Sequence, residues 1–467
     1  MEKNNLSITP RRRLAFAFGE IGDNVAYQTF SFLLFTFYFS VVHVPVTLIS
    51  FAFIIWSIWN ALNDPLIGFL SDRTRNKRGR RIVWMLGATI PLAILMVLLF
   101  TAPLGADVAL QFIYLLIILF AFDTAYTSFN LNYNSLFSEM FITAKDRSEA
   151  GKIRGVFVVI ALILAFVLPT FIITDITNQH GLPETPLQFL IVGIIAACII
   201  IATYTIVLKY GAIERPELKF SGEKNPPFKE AMKFTFTNKT FMLYLIVAIS
   251  IWTCNGILPT VVPFFATYVL QVTEEDSLSI GLILAAGFVV AAFSMPVWTK
   301  IRQRKGTRFM GLVALALWAI ALLIFMFMTD FISALLAMLF VGFGLGGSIY
   351  VYDQCMAEII DEDEIMHGTR RSGAYYGVVN FIIRLSGVLN FLVIGIVFTG
   401  SAWENYTINP GVNTILGIQF LIGIYPAIIL IIGIIGLFLY PIKGARLAET
   451  QKKVETLHKT GQDERPV

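Results

Sequence analysis

Six ionisable side chains stand inside long apolar stretches of this sequence: Glu20, Asp23, Asp64, Asp123, Arg154 and Arg384. A charge in hydrocarbon is costly, so each is a candidate for ligand or ion chemistry. Arg384 keeps its proton at any physiological pH and must be met by a carboxylate or a polar ligand. Around Asp123 the segment AFDTAYTSFNLNYNSLFSEM concentrates amides, hydroxyls and rings. Asp123, Tyr126, Asn130 and Asn134 recur at three- and four-residue steps and share one helical face. Amides hydrogen-bond hydroxyls and aromatic rings cover the apolar face of a sugar ring, so such a stripe suits a neutral polyol. The competing reading is polar glue between packed helices. Asn24, Tyr27 and Gln28, then Asn60 and Asn63, then Tyr375, Tyr376, Asn380 and Asn390 extend the polar set into three other apolar stretches.

The elements that carry these residues are membrane spans. Of 467 residues 57% are hydrophobic and 14% charged, well below the roughly 25% charge of a soluble domain. Apolar runs long enough to cross a core of about 30 Å recur along the chain. They predict twelve helices at roughly 14–42, 47–71, 82–103, 108–139, 151–174, 187–209, 240–270, 277–299, 308–328, 331–358, 371–399 and 412–441. At about 1.5 Å per residue, Asp123 and Arg384 fall near the midplane, and Asp23 and Asp64 lie closer to the side of the termini. The apolar run after MEKNNLSITPRRR is too long for a signal peptide and reads as a retained first helix. The odd-numbered loops hold no Lys or Arg, whereas the tails and even-numbered loops are basic. The positive-inside rule therefore places both termini in the cytoplasm.

The longest internal loop, 210–239, is polar and Lys-rich and reads as a linker between an N-terminal half (1–209) and a C-terminal half (240–441), with a tail over 442–467. The halves repeat a motif: GFLSDRTRNKRGRR follows span 2 and WTKIRQRKGTR follows span 8. Repeated six-helix halves with this basic loop have the layout of major facilitator transporters. Gly68, Asp72, Arg73, Gly79, Arg80 and Arg81 resemble that superfamily's loop motif, in which charge pairs join helix ends and change partners as the halves rock. The three cysteines and four histidines form no pair with metal-ligand or nucleophile spacing within a span, so neither an enzyme nor a metal centre is expected.

Longer blocks resemble one family, the glycoside–pentoside–hexuronide (melibiose permease-like) cation symporters of the major facilitator superfamily. They are FGEIGDNVAYQ (18–28), IWNALNDPLIGFLSDRTRNKRGRRIVW (58–84), YNSLFSEMFITAKDRSEAGKIRG (133–155), ERPELK (214–219) and CMAEIIDEDEIMHGTRRSGAYYG (355–377). The resemblance implies a cation site drawing on Asn60, Asn63, Asp64 and Thr127. It also implies that Arg154 lies near the substrate and that Arg384, at the place of a lysine, links the two sites. Amides replace carboxylates at Asn24, Asn60 and Asn130, which weakens the case for sodium, while Asp64 keeps one proton-carrying group. Asp23, one residue from Asn24, would face about 100° away.

The expected fold is all-α, a polytopic membrane protein of twelve helices in two halves. The expected function is secondary transport of a sugar, glycoside or uronide, coupled to H+ or Na+, across a plasma or inner membrane. The expected substrate residues are Asp23, Asn24, Tyr27, Asp123, Tyr126, Asn130, Asn134, Arg154, Tyr376, Asn380 and Arg384, with Asp64 and Arg384 as a charge pair. The alternative is an uncoupled facilitator or a carrier of lysolipids or other amphiphiles. No cofactor, resident metal or nucleic acid is expected. The expected partners are a small molecule and the bilayer, and the expected state is a monomer.

Overall fold

The computed structural model describes residues 8–141, 144–214, 228–272, 277–367, 371–444, 446–450 and 452–453. Residues 215–227 of the expected linker and 454–467 of the tail lie outside the described residues. Among those described there is helix and no strand, as lipid requires of a spanning chain that must satisfy its own backbone groups.

The helices are α1 (Pro10–Ala17), α2 (Gly19–Thr36), α3 (Val46–Arg73), α4 (Arg80–Leu98), α5 (Val108–Met140), α6 (Ala144–Ile172), α7 (Thr185–Ile206), α8 (Phe228–Thr237) and α9 (Lys239–Tyr268). Then follow α10 (Ser277–Lys305), α11 (Thr307–Phe325), α12 (Phe331–His367), α13 (Ser372–Arg384), α14 (Ser386–Gly400), α15 (Val412–Gln419) and α16 (Tyr425–Leu439). Eleven stretches, some made of two of these helices, are long and apolar enough to cross a membrane. The twelfth span is α1 and α2 together with the π-helical turn Phe37–Val41, interrupted at Phe18. Side chains such as Phe171, Phe293 and Phe340 stay exposed on the flanks, where hydrocarbon would cover them.

The structure departs from the sequence reading at helix ends and breaks. Hydropathy ends the tenth span near residue 358, yet α12 continues to His367. Its added turns are charged and stay helical, because an amphipathic end pairs its carboxylates locally: Arg371 binds Asp363 at 2.5 and 2.9 Å. The linker expected over 210–239 contains a helix, α8, whose Phe234 ring lies 4.1 Å from the Arg371 guanidinium. The eleventh span breaks at Leu385, directly after Arg384. The guanidinium thus sits at the C-terminal end of α13, where the helix dipole favours a cation.

The described residues form two compact units. The first takes Met1–Gly222, Pro259–Ala285 and Gly387–Ile418; the second takes Glu223–Leu258, Ala286–Ser386 and Gln419–Val467. In the first unit α2 packs on α6 and α7, and α5 on α3 and α4. In the second α11 packs on α12 and α16. The repeated basic loops end alike in both units: Gly79 (φ 107°) and Gly306 (φ 85°) precede α4 and α11 in a backbone conformation that only glycine adopts readily.

Candidate functional site

Two glycines set the geometry of the first unit's polar interior. A Cβ on Gly19 would stand 2.5 Å from the Tyr133 ring, and one on Gly22 would stand 2.5 Å from the Tyr204 ring. Their absence lets α2 approach α5 and α7 closely, which carries Glu20 and Asp23 into contact with polar groups on α5 and α6.

Glu20 forms an ion pair with Arg154, which donates to it from Nε. The same guanidinium donates to Asn134 Oδ1 at 2.8 Å. It lies 4.4 Å from the Phe137 ring centroid and 5.1 Å from that of Tyr133, within cation–π range. Asn24 turns back along α2 and donates to the Glu20 main-chain carbonyl at 2.9 Å. Asp23 is 9% exposed. It accepts from Asn130 Nδ2 at 2.8 and 2.9 Å and from the Tyr126 hydroxyl at 3.4 Å. Tyr27 stacks on Tyr126 with centroids 5.3 Å apart. Asp23, Asn24, Tyr27, Tyr126, Asn130, Asn134 and Arg154 thus meet in one cluster around Glu20.

A second cluster lies between α3 and α5. Asn63 Nδ2 donates to Asp123 Oδ2 at 2.9 Å, and the Thr127 hydroxyl to Asp64 Oδ1 at 3.1 Å. Asn60 and Asn63 are buried, and their Oδ1 atoms have no hydrogen-bond partner among the described residues. Asp123 thus meets Asn63 on α3. The stripe on α5 splits by columns: residues 123 and 127 turn to α3, 126 and 130 to α2, and 134 to α6.

In the second unit Tyr376, Asn380 and Arg384 follow one another at four-residue steps and share a face of α13. Tyr376 is 41% exposed.

The residues of the first basic loop form a charge network with two carboxylates that sequence reasoning left out, Glu139 and Glu214. Arg81 meets Asp72 at 2.9 Å and Glu139 at 3.3 Å, and Arg80 meets Glu139 at 2.8 Å. Glu214 accepts from the Arg80 main-chain N–H at 2.9 Å. A Cβ on Gly79 would stand 1.8 Å from the Glu214 carboxylate. Arg73 stacks on Phe69 at 3.8 Å. Gly68 has only Leu131 nearby, at 3.9 Å. Glu214 opens the block ERPELK, which the family resemblance singled out, but its pairing with a loop more than a hundred residues away leaves no trace in the sequence.

On the side of the odd-numbered loops the first unit is sealed, a feature the sequence reading did not contain. Trp403 is buried among Phe39, Phe264, Tyr268 and Phe398, with centroids 4.9–5.7 Å away. Tyr268 donates to the Tyr406 hydroxyl at 3.0 Å, and Tyr406 donates to the Thr177 carbonyl. Deeper, Phe391 stacks on Phe53 at 4.2 Å. A Cβ on Gly387 would stand 2.5 Å from Ser57 Oγ. Both polar clusters lie beyond this plug, toward the termini, where Asn134 is exposed and Asp64 half-buried.

Twelve spans with repeated basic loops and a buried polar interior define a transporter of the major facilitator fold, not an enzyme. The chain belongs to the family described as MFS/sugar transport protein, which it matches over residues 15–444. It is 26% identical to the uncharacterized symporter YnaJ of Bacillus subtilis (strain 168), over 98% of this chain and 97% of that one. It is 21% identical to the glucuronide carrier protein homolog of Escherichia coli (strain K12), over 98% of each. Its fold is similar to that of a bacterial homolog of the human lysosomal transporter Spinster, solved inward-facing and unoccupied. That similarity has a TM-score of 0.67 at 14% identity and covers 96% of this chain and 98% of the other.

Proposed function

We propose that this protein carries a sugar, glycoside or uronide across a plasma or inner membrane by alternating access, coupled to a cation, with both termini in the cytoplasm. The observation that carries this reading is the cluster around Glu20, Asp23 and Arg154. It offers carboxylate and amide hydrogen-bond partners beside a stacked tyrosine pair, and it is sealed from the odd-loop side. Hydroxyl groups need such partners, and the rings of Tyr27 and Tyr126 supply a platform for the C–H face of a sugar. The residues assigned to substrate are Asp23, Asn24, Tyr27, Asp123, Tyr126, Asn130, Asn134, Arg154, Tyr376, Asn380 and Arg384.

Coupling is assigned to the α3–α5 cluster. Asp64, the Thr127 hydroxyl and the Asn60 and Asn63 oxygens, which have no hydrogen-bond partner among the described residues, are hard oxygen ligands of the kind sodium takes, and the Asp64 carboxylate can instead carry a proton. Asp123 serves this cluster through Asn63. The network of Asp72, Arg80, Arg81, Glu139 and Glu214 acts as the gate on the terminus side, and its pairs exchange as the halves rock. The halves are residues 1–209 and 240–441, joined by the 210–239 linker and followed by the 442–467 tail, and the protein works as a monomer.

Counterflow in proteoliposomes tests this with a panel of sugars, glycosides and uronides, run with sodium or with a proton gradient alone. Saturable exchange of at least one panel member is the expected result. Exchange of lysolipids in place of every sugar would overturn it.

A further inference from the structure

Four carboxylates, Glu20, Asp23, Asp64 and Asp123, stand in the apolar interior of α2, α3 and α5. One of them, Glu20, forms an ion pair with Arg154. That guanidinium is neutralised by Glu20, which meets Nε and Nη2; Asn134 accepts from the same Nη2, and Phe137 and Tyr133 lie within cation–π range of it.

Resting on the sugar-transport reading above, we propose that Glu20 is a specificity residue that, by neutralising Arg154, biases the site toward neutral sugars and glycosides and against uronates. A uronate is bound tightly where its carboxylate meets a free cation, ideally a bidentate arginine. Here it would bring a third negative charge to a guanidinium that already serves Glu20 and lies near Asp23. A neutral sugar needs no such cation. Its hydroxyls donate to Asp23 and to Asn134, and its ring lies on the tyrosine pair. Glu20 acts through Arg154, so it is a positioning residue.

The test uses the full chain in proteoliposomes and substrate pairs that differ only at C6: glucose with glucuronate, galactose with galacturonate, and their methyl glycosides. In wild type the neutral member of an exchanged pair is expected to outpace its uronate at least tenfold. Glu20→Gln frees Arg154 and is expected to raise the uronate-to-neutral ratio at least tenfold, while Glu20→Asp, which keeps the charge, leaves the ratio near that of wild type. A merely structural role would lower both rates together and leave the ratio unmoved, and that result overturns the proposal. If Glu20→Gln fails to fold, wild type decides alone: a uronate exchanging as fast as its neutral partner overturns it, and a tenfold preference supports it. Failure of every pair to exchange would instead overturn the sugar-transport reading, and this proposal with it.

Discussion

Replacing Arg154 by Met removes the one cation of the first unit's buried cluster and keeps most of its volume. Glu20 then has no counter-charge, and it is 6% exposed. Breaking a buried pair by removing one partner costs about 3–5 kcal/mol. The contacts with Phe137 and Tyr133 lose a cation–π component of about 0.5–2 kcal/mol, partly offset because a thioether also packs well on rings. The hydrogen bond to Asn134 is exposed and contributes little. Arg154→Met is therefore expected to destabilise by about 4 kcal/mol. Adding Glu20→Gln removes the orphaned charge, so the double variant is expected to recover about 2 kcal/mol of that loss, a coupling of the size seen for residues in direct contact. Reversible unfolding in mixed micelles of dodecylmaltoside and dodecyl sulfate, followed by circular dichroism, measures all three variants. The reasoning fails if Arg154→Met lies within about 1 kcal/mol of wild type, or if the double variant is less stable than Arg154→Met alone.

Asp64→Asn is expected to abolish gradient-driven accumulation and to spare exchange, since only the titratable or cation-binding group is lost; unchanged accumulation in proteoliposomes would remove Asp64 from coupling. Trp403→Ala empties the aromatic plug. It is expected to cost about 3–5 kcal/mol in the same unfolding assay, and in a cysteine-free background to speed labelling of T267C by an impermeant maleimide from the odd-loop side. Gly281→Leu places a side chain where a Cβ already meets the Phe166 carbonyl at 2.4 Å. It is expected to hold the seal open, with T267C labelling fast and exchange at least tenfold slower; wild-type labelling would show that the contact does not keep the seal.

The spans, their order and the repeated loops were legible because they are one-dimensional signals. Hydropathy runs and the absence of Lys and Arg from alternate loops need no knowledge of what packs against what, and the structure adds breaks and extensions without moving a span. The glycine in each basic loop was visible as a repeat, and its positive φ explains why the repeat keeps it. Pairing was not legible. Glu20 was one of six flagged charges, but nothing in the sequence says that it meets Arg154, because the two lie 134 residues apart and are joined by the fit of Gly19 and Gly22 against α5 and α7. The plug around Trp403 was hidden for the same reason, since rings in apolar runs look alike until they meet.

The columns of α5 add a mechanical consequence to these pairings. Residues 126 and 130 hold Asp23 on α2, while 123 and 127 hold Asn63 and Asp64 on α3. The two columns belong to one rigid helix, so they cannot move independently. A rotation of α5 that loosens Asn130 from Asp23, as a sugar hydroxyl would when it competes for that carboxylate, turns Thr127 against Asp64. On the proposed assignment of the two clusters, a ligand on one would be felt at the other through this shared helix, which is what coupling requires. The amides at Asn60 on α3 and Asn130 on α5 fit this division: each keeps hydrogen-bonding capacity in its own cluster, with Asp64 the half-buried acid of α3.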